Sequence, residues 1–404
     1  MRNLHAKKNR RGRQLSKEMK EVIFFANGDP ESAQTWSNVP KCFVDTLRKK
    51  GIVVHPVNLT NERVQYLYDN FFRKVLKVLT LWYDEPRYYG YTWLHQWLGN
   101  RRIKKAVNTW PQADYCFFIN YGFYNQYNDI PSLLLSDWTD DISLRRRGKS
   151  VARFQKRFCL QQKDAIEHAE HVISIFPLCT EEMRQLYPTA NISYLGGNVI
   201  NDLSGEVIQQ EAILEQKRQS RHILFIGKPD RYKESAIKLM ETAGLLRNEQ
   251  NYHDLELDII GIQKAQLPNV PDYVHCHGFL RKDREEECKK FYGLLKGAKM
   301  IVNPTPKWAA YSSIIEAMYF YTPVVVSPFD DFVQEFGTSI GFGRYNEVFT
   351  EEGIADSIRH ILAADNYTDI CTCAHETVKD YTWERYVDKV LHLLSDSHAD
   401  LADI

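Results

Sequence analysis

Two lysines, two serines and one glutamate in the second half of the chain are of types that could together hold a diphosphate and a ribose. In FIGKPDRYKES an apolar run ends at Gly227, Lys228 follows at once, and Lys233 stands five residues on. In KWAAYSSIIEAMYFYTPVVVS, Ser312 and Ser313 open a helix and Glu316 lies one turn in. The first turn of a helix leaves N–H groups without intrahelical acceptors at the positive end of the dipole, which suits a diphosphate. Lys228 and Lys233 supply the positive charge that stabilises such a group as it leaves. A carboxylate one turn in accepts from ribose 2′ and 3′ hydroxyls, the role expected of Glu316. The plainer reading of Glu316 alone is a carboxylate facing solvent or capping its neighbours.

These residues need strands and helices in a fixed order to meet. EVIFFA (21–26), a helix over 39–51 and IVVHPV (52–57) open a parallel α/β sheet. The rhythm returns with strands over 113–120, 132–139 and 171–176. A second series follows, with strands over 222–227, 255–261, 273–280 and 299–305 and helices between them. Residues 59–110 break the pattern with helices rich in aromatics and Arg/Lys. They read either as a pair packed on the sheet or as a surface that meets a lipid interface. A long helix carrying LRRRGKSVARFQKRF (144–158) is expected, its charge either a solvated face or a contact with anionic headgroups. Gly196-Gly197 is a hinge candidate.

The expected organisation is a flexible basic tail (1–20), an N-terminal Rossmann-like domain (21–200), a C-terminal Rossmann-like domain (201–380) and a helix (381–396) crossing back to the first. Ligands in such sheets sit at the carboxyl ends of strands, in a cleft.

The chain has 404 residues, 44% apolar and 13% aromatic. Its 52 basic and 52 acidic residues cancel, so no global field favours nucleic acid. Of eight cysteines only Cys371 and Cys373 are close, and one C-x-C lacks the second pair of a zinc site. The others read as reduced core thiols, which favours a reducing compartment. The basic N-terminus has no apolar core behind it, and no run approaches a membrane span. The expected location is the cytoplasm or the inner face of a membrane.

The second half resembles the donor domain of a GT-B glycosyltransferase, in particular the retaining group called family four. FIGKPDRYKES is similar to that family's strand, glycine, basic residue and distant lysine. LDIIG with VHCHGFL matches its strand-Gly and His/Gly turn. KMIVNPTPKWAAYSSIIEAMYFYTPVVVS matches its strand, P-[ST] turn, small-residue loop, EA helix and TPVV strand. YTWERYV resembles its last helix. The likeness covers residues 220–395 and is only architectural over 20–200. It implies two Rossmann-like domains facing each other across a cleft, and retaining transfer of a sugar from a UDP- or GDP-sugar co-substrate. No Asp-x-Asp stands in a metal-binding context, so no metal cofactor is expected and the lysines take its place. The family's second glutamate, eight residues before the ribose acid, is Trp308 in this chain. Lys307 and Trp308 offer a cation and an aromatic face to the donor sugar instead, and the backbone near Ala310 remains available. Tyr311 belongs to the same loop. His277 and Phe279, in the turn that runs beside the base in that family, complete the donor set.

On the acceptor side, Asn27, Gly28 and Asp29 follow the first strand. Asn120 and Tyr121 follow the third, where they could line the acceptor groove. Asp137 follows the fourth, as an acceptor-side polar group or a helix N-cap. The expected acceptor is a saccharide, such as a growing surface polysaccharide, or a lipid-linked glycan. Two other readings use the same fold: a sugar-nucleotide epimerase, against which Trp308 counts, and a non-catalytic scaffold that binds a nucleotide sugar, which Trp308 favours.

Overall fold

The structure, a computed structural model, describes residues 19–75, 88–152, 155–196, 199–202, 204, 208–305 and 311–399. Up to residue 18, the segment expected as a basic tail lies outside the described residues. The chain divides into two compact units, Met1–Gly196 with Trp383–Ile404, and Gly197–Thr382. Gly196, the last residue before the division, has a φ of +108°, which favours glycine. Gly197, the other half of the hinge candidate, lies outside the described residues.

The first unit is built on six parallel strands: β1 (Glu21–Ala26), β2 (Val53–Asn58), β3 (Tyr115–Ile119), β4 (Ser132–Ser136), β5 (His171–Ser174) and β6 (Ile192–Ser193). Their order is β2-β1-β3-β4-β5-β6. β1 and β3 are near-continuous apolar runs because helices cover both faces. Phe25 stacks on Phe118 with centroids 4.6 Å apart, and Phe24 meets Phe43 of α1 (Val39–Lys49) edge-on at 5.4 Å. The chain's last helix belongs to this unit, with Trp383 5.5 Å from Phe43 and Lys50 bonded to Asp388 at 2.6 Å.

The second unit repeats the plan with β7 (His222–Ile226), β8 (Glu256–Ile260), β9 (Val274–Gly278), β10 (Met300–Asn303), β11 (Val324–Val326) and β12 (Gly343–Tyr345). The order is β12-β11-β10-β7-β8-β9, again all parallel. In each sheet the chain reverses direction beside its first strand, between β1 and β3 and between β10 and β7. Ligands of open α/β sheets sit at such switch points, outside the carboxyl ends of the strands.

Two expectations change. The single helix over 144–158 is two, α4 (Asp140–Arg146) and α5 (Lys156–His168). Gly148, at φ +67°, ends the first, and Lys149 N–H bonds back to Leu144 O at 2.9 Å, a Schellman closure. The helical pair over 59–110 does not simply cover the sheet. Both α2 (Glu62–Leu67) and the wide turn Tyr68–Phe72 that continues it have no buried residue. The longer α3 (Trp93–Thr109) buries one face, through His95, Gly99, Ile103 and Val107, and leaves Trp93 and Trp97 outside.

Candidate active site

The second sheet's switch point is built from the end of β7. Gly227 N–H bonds to Ile260 O at 3.0 Å. A Cβ on Gly227 would come within 2.7 Å of Tyr232 Cβ, so glycine lets the following helix start close to the strand. Gly261, at φ +98°, is required too, because a Cβ there would lie 2.4 Å from Gly227 O. Lys228 is the extended residue before α8 (Pro229–Arg247), and its carbonyl accepts from Tyr232 N–H at 2.9 Å. Lys228 and Lys233 are both exposed, and neither forms an ion pair with another described residue. Lys233 borders an open hollow of about 450 Å³ with Glu234, Ile237, Lys238 and Glu241.

Beside β7, β10 leads through Pro304 and Thr305 toward α10 (Ser312–Tyr319). Ser312 and Ser313 are half-buried in its first turn, and among the described residues no side chain caps that end. Glu316 lies one turn in and is 6% exposed. Its Oε1 accepts from the Lys282 ammonium and lies 3.2 Å from the Tyr292 hydroxyl. Both bonds fall on Oε1; among the described residues Oε2 carries none. Burial pushes the Glu316 carboxyl above its ordinary range, aided by the charge of Asp202, while Lys282 and Tyr292 pull it down. Lys282 also lies over the rings of Phe291, at 4.3 Å, and Tyr292, at 5.0 Å, and 3.4 Å from Asn201 O. Sequence reasoning missed Lys282 and Tyr292. The signal available was the buried-looking acid itself, which needs a cation to stay charged away from water.

The remaining donor-side candidates divide. Tyr311 is fully buried against Phe329, Phe332 and Phe336, so it anchors the start of α10. His277 Nε2 bonds to Asp258 Oδ1 at 2.6 Å, and His222 Nδ1 takes the other oxygen at 2.7 Å. Burial raises the Asp258 carboxyl, but the two imidazoles outweigh it and hold it at about 2. Phe279 follows Gly278 at the end of β9 and is 64% exposed. Lys307, Trp308 and Ala310 lie outside the described residues.

At the first sheet's switch point, Asn27 is exposed and Gly28 N–H bonds to Asn58 Oδ1 at 3.1 Å. Asp29 spends Oδ1 on Glu31 N–H at 3.0 Å. Trp36, Ser37 and Asn38, which close this loop, are all left-handed, with φ of 40°, 55° and 71°. Such strain in non-glycine residues persists only where the surroundings hold it. Asn120 is buried; its Oδ1 accepts from Gly122 N–H at 2.9 Å, and among the described residues its Nδ2 has no partner. Tyr121 is buried with its hydroxyl 2.9 Å from Ser136 O and 2.8 Å from Ile173 O, bracing β4 against β5. Asp137 is half-buried and its Oδ1 accepts from Trp138 N–H at 2.8 Å. Thr139, not Asp137, caps α4, accepting from Ile142 N–H at 3.3 Å. Among the described residues no three His, Cys, Asp or Glu side chains gather where a metal ion could sit.

No family model matches the chain, and no curated protein sequence does. Solved structures do. A sucrose-phosphate synthase from Thermosynechococcus elongatus aligns over 94% of this chain and 100% of its own, with a TM-score of 0.67 at 16% identity. WaaG, a glycosyltransferase involved in lipopolysaccharide biosynthesis, aligns over 92% and 99%, with a TM-score of 0.64 at 13% identity. HepE from Anabaena, solved in complex with UDP and glucose, aligns over 93% and 99%, with a TM-score of 0.57 at 13% identity. With two all-parallel units, a closing helix that belongs to the first, and full-length structural likeness to these proteins, the chain has the GT-B fold.

Proposed function

We propose that the protein is a retaining glycosyltransferase that moves a sugar from a UDP- or GDP-sugar to a saccharide or lipid-linked glycan. The observation that carries the reading is Glu316, buried one turn into α10 beside the β7 switch point, with Oε2 left for a ligand. Oε2 accepts the ribose hydroxyls. The N–H groups of Ser312 and Ser313 and the ammonium groups of Lys228 and Lys233 hold the diphosphate. As the glycosidic bond breaks, negative charge grows on that diphosphate, and the lysines stabilise it where a metal would otherwise stand. The acceptor hydroxyl attacks from the same face and gives its proton to the departing diphosphate oxygen, so positioning matters more than an enzymic base. Asp137, Asn120 and the loop Asn27–Asp29 are the acceptor-side groups. Lys307, Trp308 and Ala310 are assigned to the donor sugar from the sequence, and Phe279 and His277 to the base. The protein works in the cytoplasm at the inner face of an anionic membrane.

The test is a thermal-shift series with UDP, GDP, ADP, CMP and their sugars, with and without EDTA. A ligand that binds only the folded state raises the melting point. The expected result is a shift with UDP or GDP that EDTA leaves intact, and turnover of the matching sugar nucleotide. No shift with any nucleotide sinks the reading. Because Lys282 already holds Oε1, a second reading is a scaffold that binds the nucleotide sugar without turning it over. A shift without turnover over any acceptor would select it.

A further inference from the structure

Between β2 and β3 the described residues of the first unit leave many large apolar side chains in water. Tyr66, Phe71, Phe72, Tyr88, Trp93 and Trp97 are between 47% and 70% exposed. Leu67 and Val75, at 52% and 51%, extend the set. Monomeric soluble proteins rarely leave so many large apolar side chains together in water, and such patches mark contacts. The two segments that carry these residues are in contact. Tyr68 sets its ring 5.7 Å from the buried Tyr89, and Arg102 of α3 donates to Thr60 O at 2.8 Å, tying that helix to the start of α2.

Cations are interleaved with the aromatics. Arg63, Arg73, Lys74, Arg101, Lys104 and Lys105 are all exposed, and the guanidinium of Arg101 lies 4.7 Å above the Trp97 ring. Among the described residues of this stretch the acids are Glu62 and Asp69, and Asp69 is 3.7 Å from Arg73. His95, beneath the face, is held neutral by burial, with its pKa down to about 4.

The geometry points to this face as a docking surface for an anionic lipid bilayer, with the aromatic rings at headgroup depth and the lysines and arginines on lipid phosphates. Tryptophan and tyrosine favour that depth, and long cationic side chains reach from it into water. The charge decides against the other occupants. A symmetric dimer would set the same cationic patch against itself. The core of a protein interface is depleted of lysine, whereas here lysine and arginine run through the patch. The placement fits as well. The face springs from the carboxyl end of β2, the sheet edge from which Asn27–Asp29 and Asn120 also emerge.

The basic segment over 144–158 is not this surface. Arg146 is bonded through Nε and Nη2 to Glu182 at 3.0 and 2.7 Å and lies over Trp138, and Arg145 is paired with Asp141 at 3.4 Å. Docking does not depend on the transferase reading; only its purpose, reaching a lipid-held acceptor, rests on it.

The experiment is flotation of the full chain with phosphatidylcholine vesicles, pure or with about one-third phosphatidylglycerol. Wild type is expected to float with the anionic vesicles alone, with a blue shift of tryptophan emission, and to be released by high salt. Two variants, Trp93→Ser with Trp97→Ser, and Arg73→Glu with Lys74→Glu, are each expected to lose about tenfold or more of the vesicle affinity. Their melting points and nucleotide shifts serve as the folding control. No binding by wild type, equal binding to pure phosphatidylcholine, or undiminished binding by folded variants overturns the proposal. So does a wild-type dimer that both variants abolish, which assigns the face to a second copy. Vesicle binding without any nucleotide shift would sink the transferase reading and leave this one standing.

Discussion

Lys282 and Glu316 form an ion pair inside the second unit, 34 residues apart in the chain, with Tyr292 on the same carboxylate oxygen. Removing one partner of a buried pair strands the other charge at a cost of about 3–5 kcal/mol. Lys282→Met is therefore expected to lower stability by that order, and adding Glu316→Gln to restore part of it. Chemical denaturation of the four members of the cycle measures this. Additive effects, with the double change costing the sum of the two single changes, would mean the two side chains do not interact.

Glu316→Ala is expected to weaken nucleoside diphosphate binding by roughly 1.5–3 kcal/mol, the worth of a hydrogen bond to a charged group. Titration calorimetry with UDP and GDP is the readout. Unchanged affinity would take the ribose away from this residue.

Lys233→Ala is expected to lower kcat more than it raises KM, because the charge it neutralises is largest as the diphosphate departs. A loss of about ten- to a hundredfold in kcat is expected. Wild-type turnover in this variant would remove Lys233 from the mechanism.

Gly261→Ala forces a Cβ against the Gly227 carbonyl at a backbone angle that only glycine adopts freely. The expected cost is about 1–3 kcal/mol of stability. Nucleotide affinity should fall as well, since the strain falls on the strand end that carries Lys228. A melting point equal to that of wild type would show that the two turns are not coupled as described.

Lys217 supplies the pH dependence. It is fully buried, bonded to the carbonyls of Leu295 and Ala298 and to the Thr322 hydroxyl, and burial brings its pKa down to about 7. A depressed pKa means that the unfolded chain holds the proton more tightly. The contribution of this group to stability is complete above the ordinary lysine value and is lost as pH falls toward about 7. Against Lys217→Met, the wild-type melting point is expected to gain ground between pH 7 and pH 10. A difference that stays flat over that range would refute the shift.

Legibility followed the range of the interaction. The places of Gly227 and Lys228 after a strand end and of Glu316 one turn into a helix were readable because both are local patterns. Lys282 was not, because nothing near it in the chain says which acid it meets. The charged run at 144–158 read as one helix because Gly148 was outweighed by the residues around it. β6 and β12, of two and three residues, are too short for a periodic signal, and neighbouring strands define them. Tyr121 sits at a strand end, where sequence suggests a ligand contact, yet its hydroxyl is used on two strand carbonyls. Asp137 left open whether it caps the next helix; Thr139 does.

The assignment of the last helix to the first unit bears on biosynthesis. Phe43 is covered by Trp383 and Tyr386, which leave the ribosome long after it does. The second unit is contiguous and has all six of its strands in hand once Tyr345 has emerged. The first unit cannot seal that part of its core until synthesis has passed Tyr386. The half of the molecule that is made first is thus completed last, and until then its Phe43 pocket is open to chaperones.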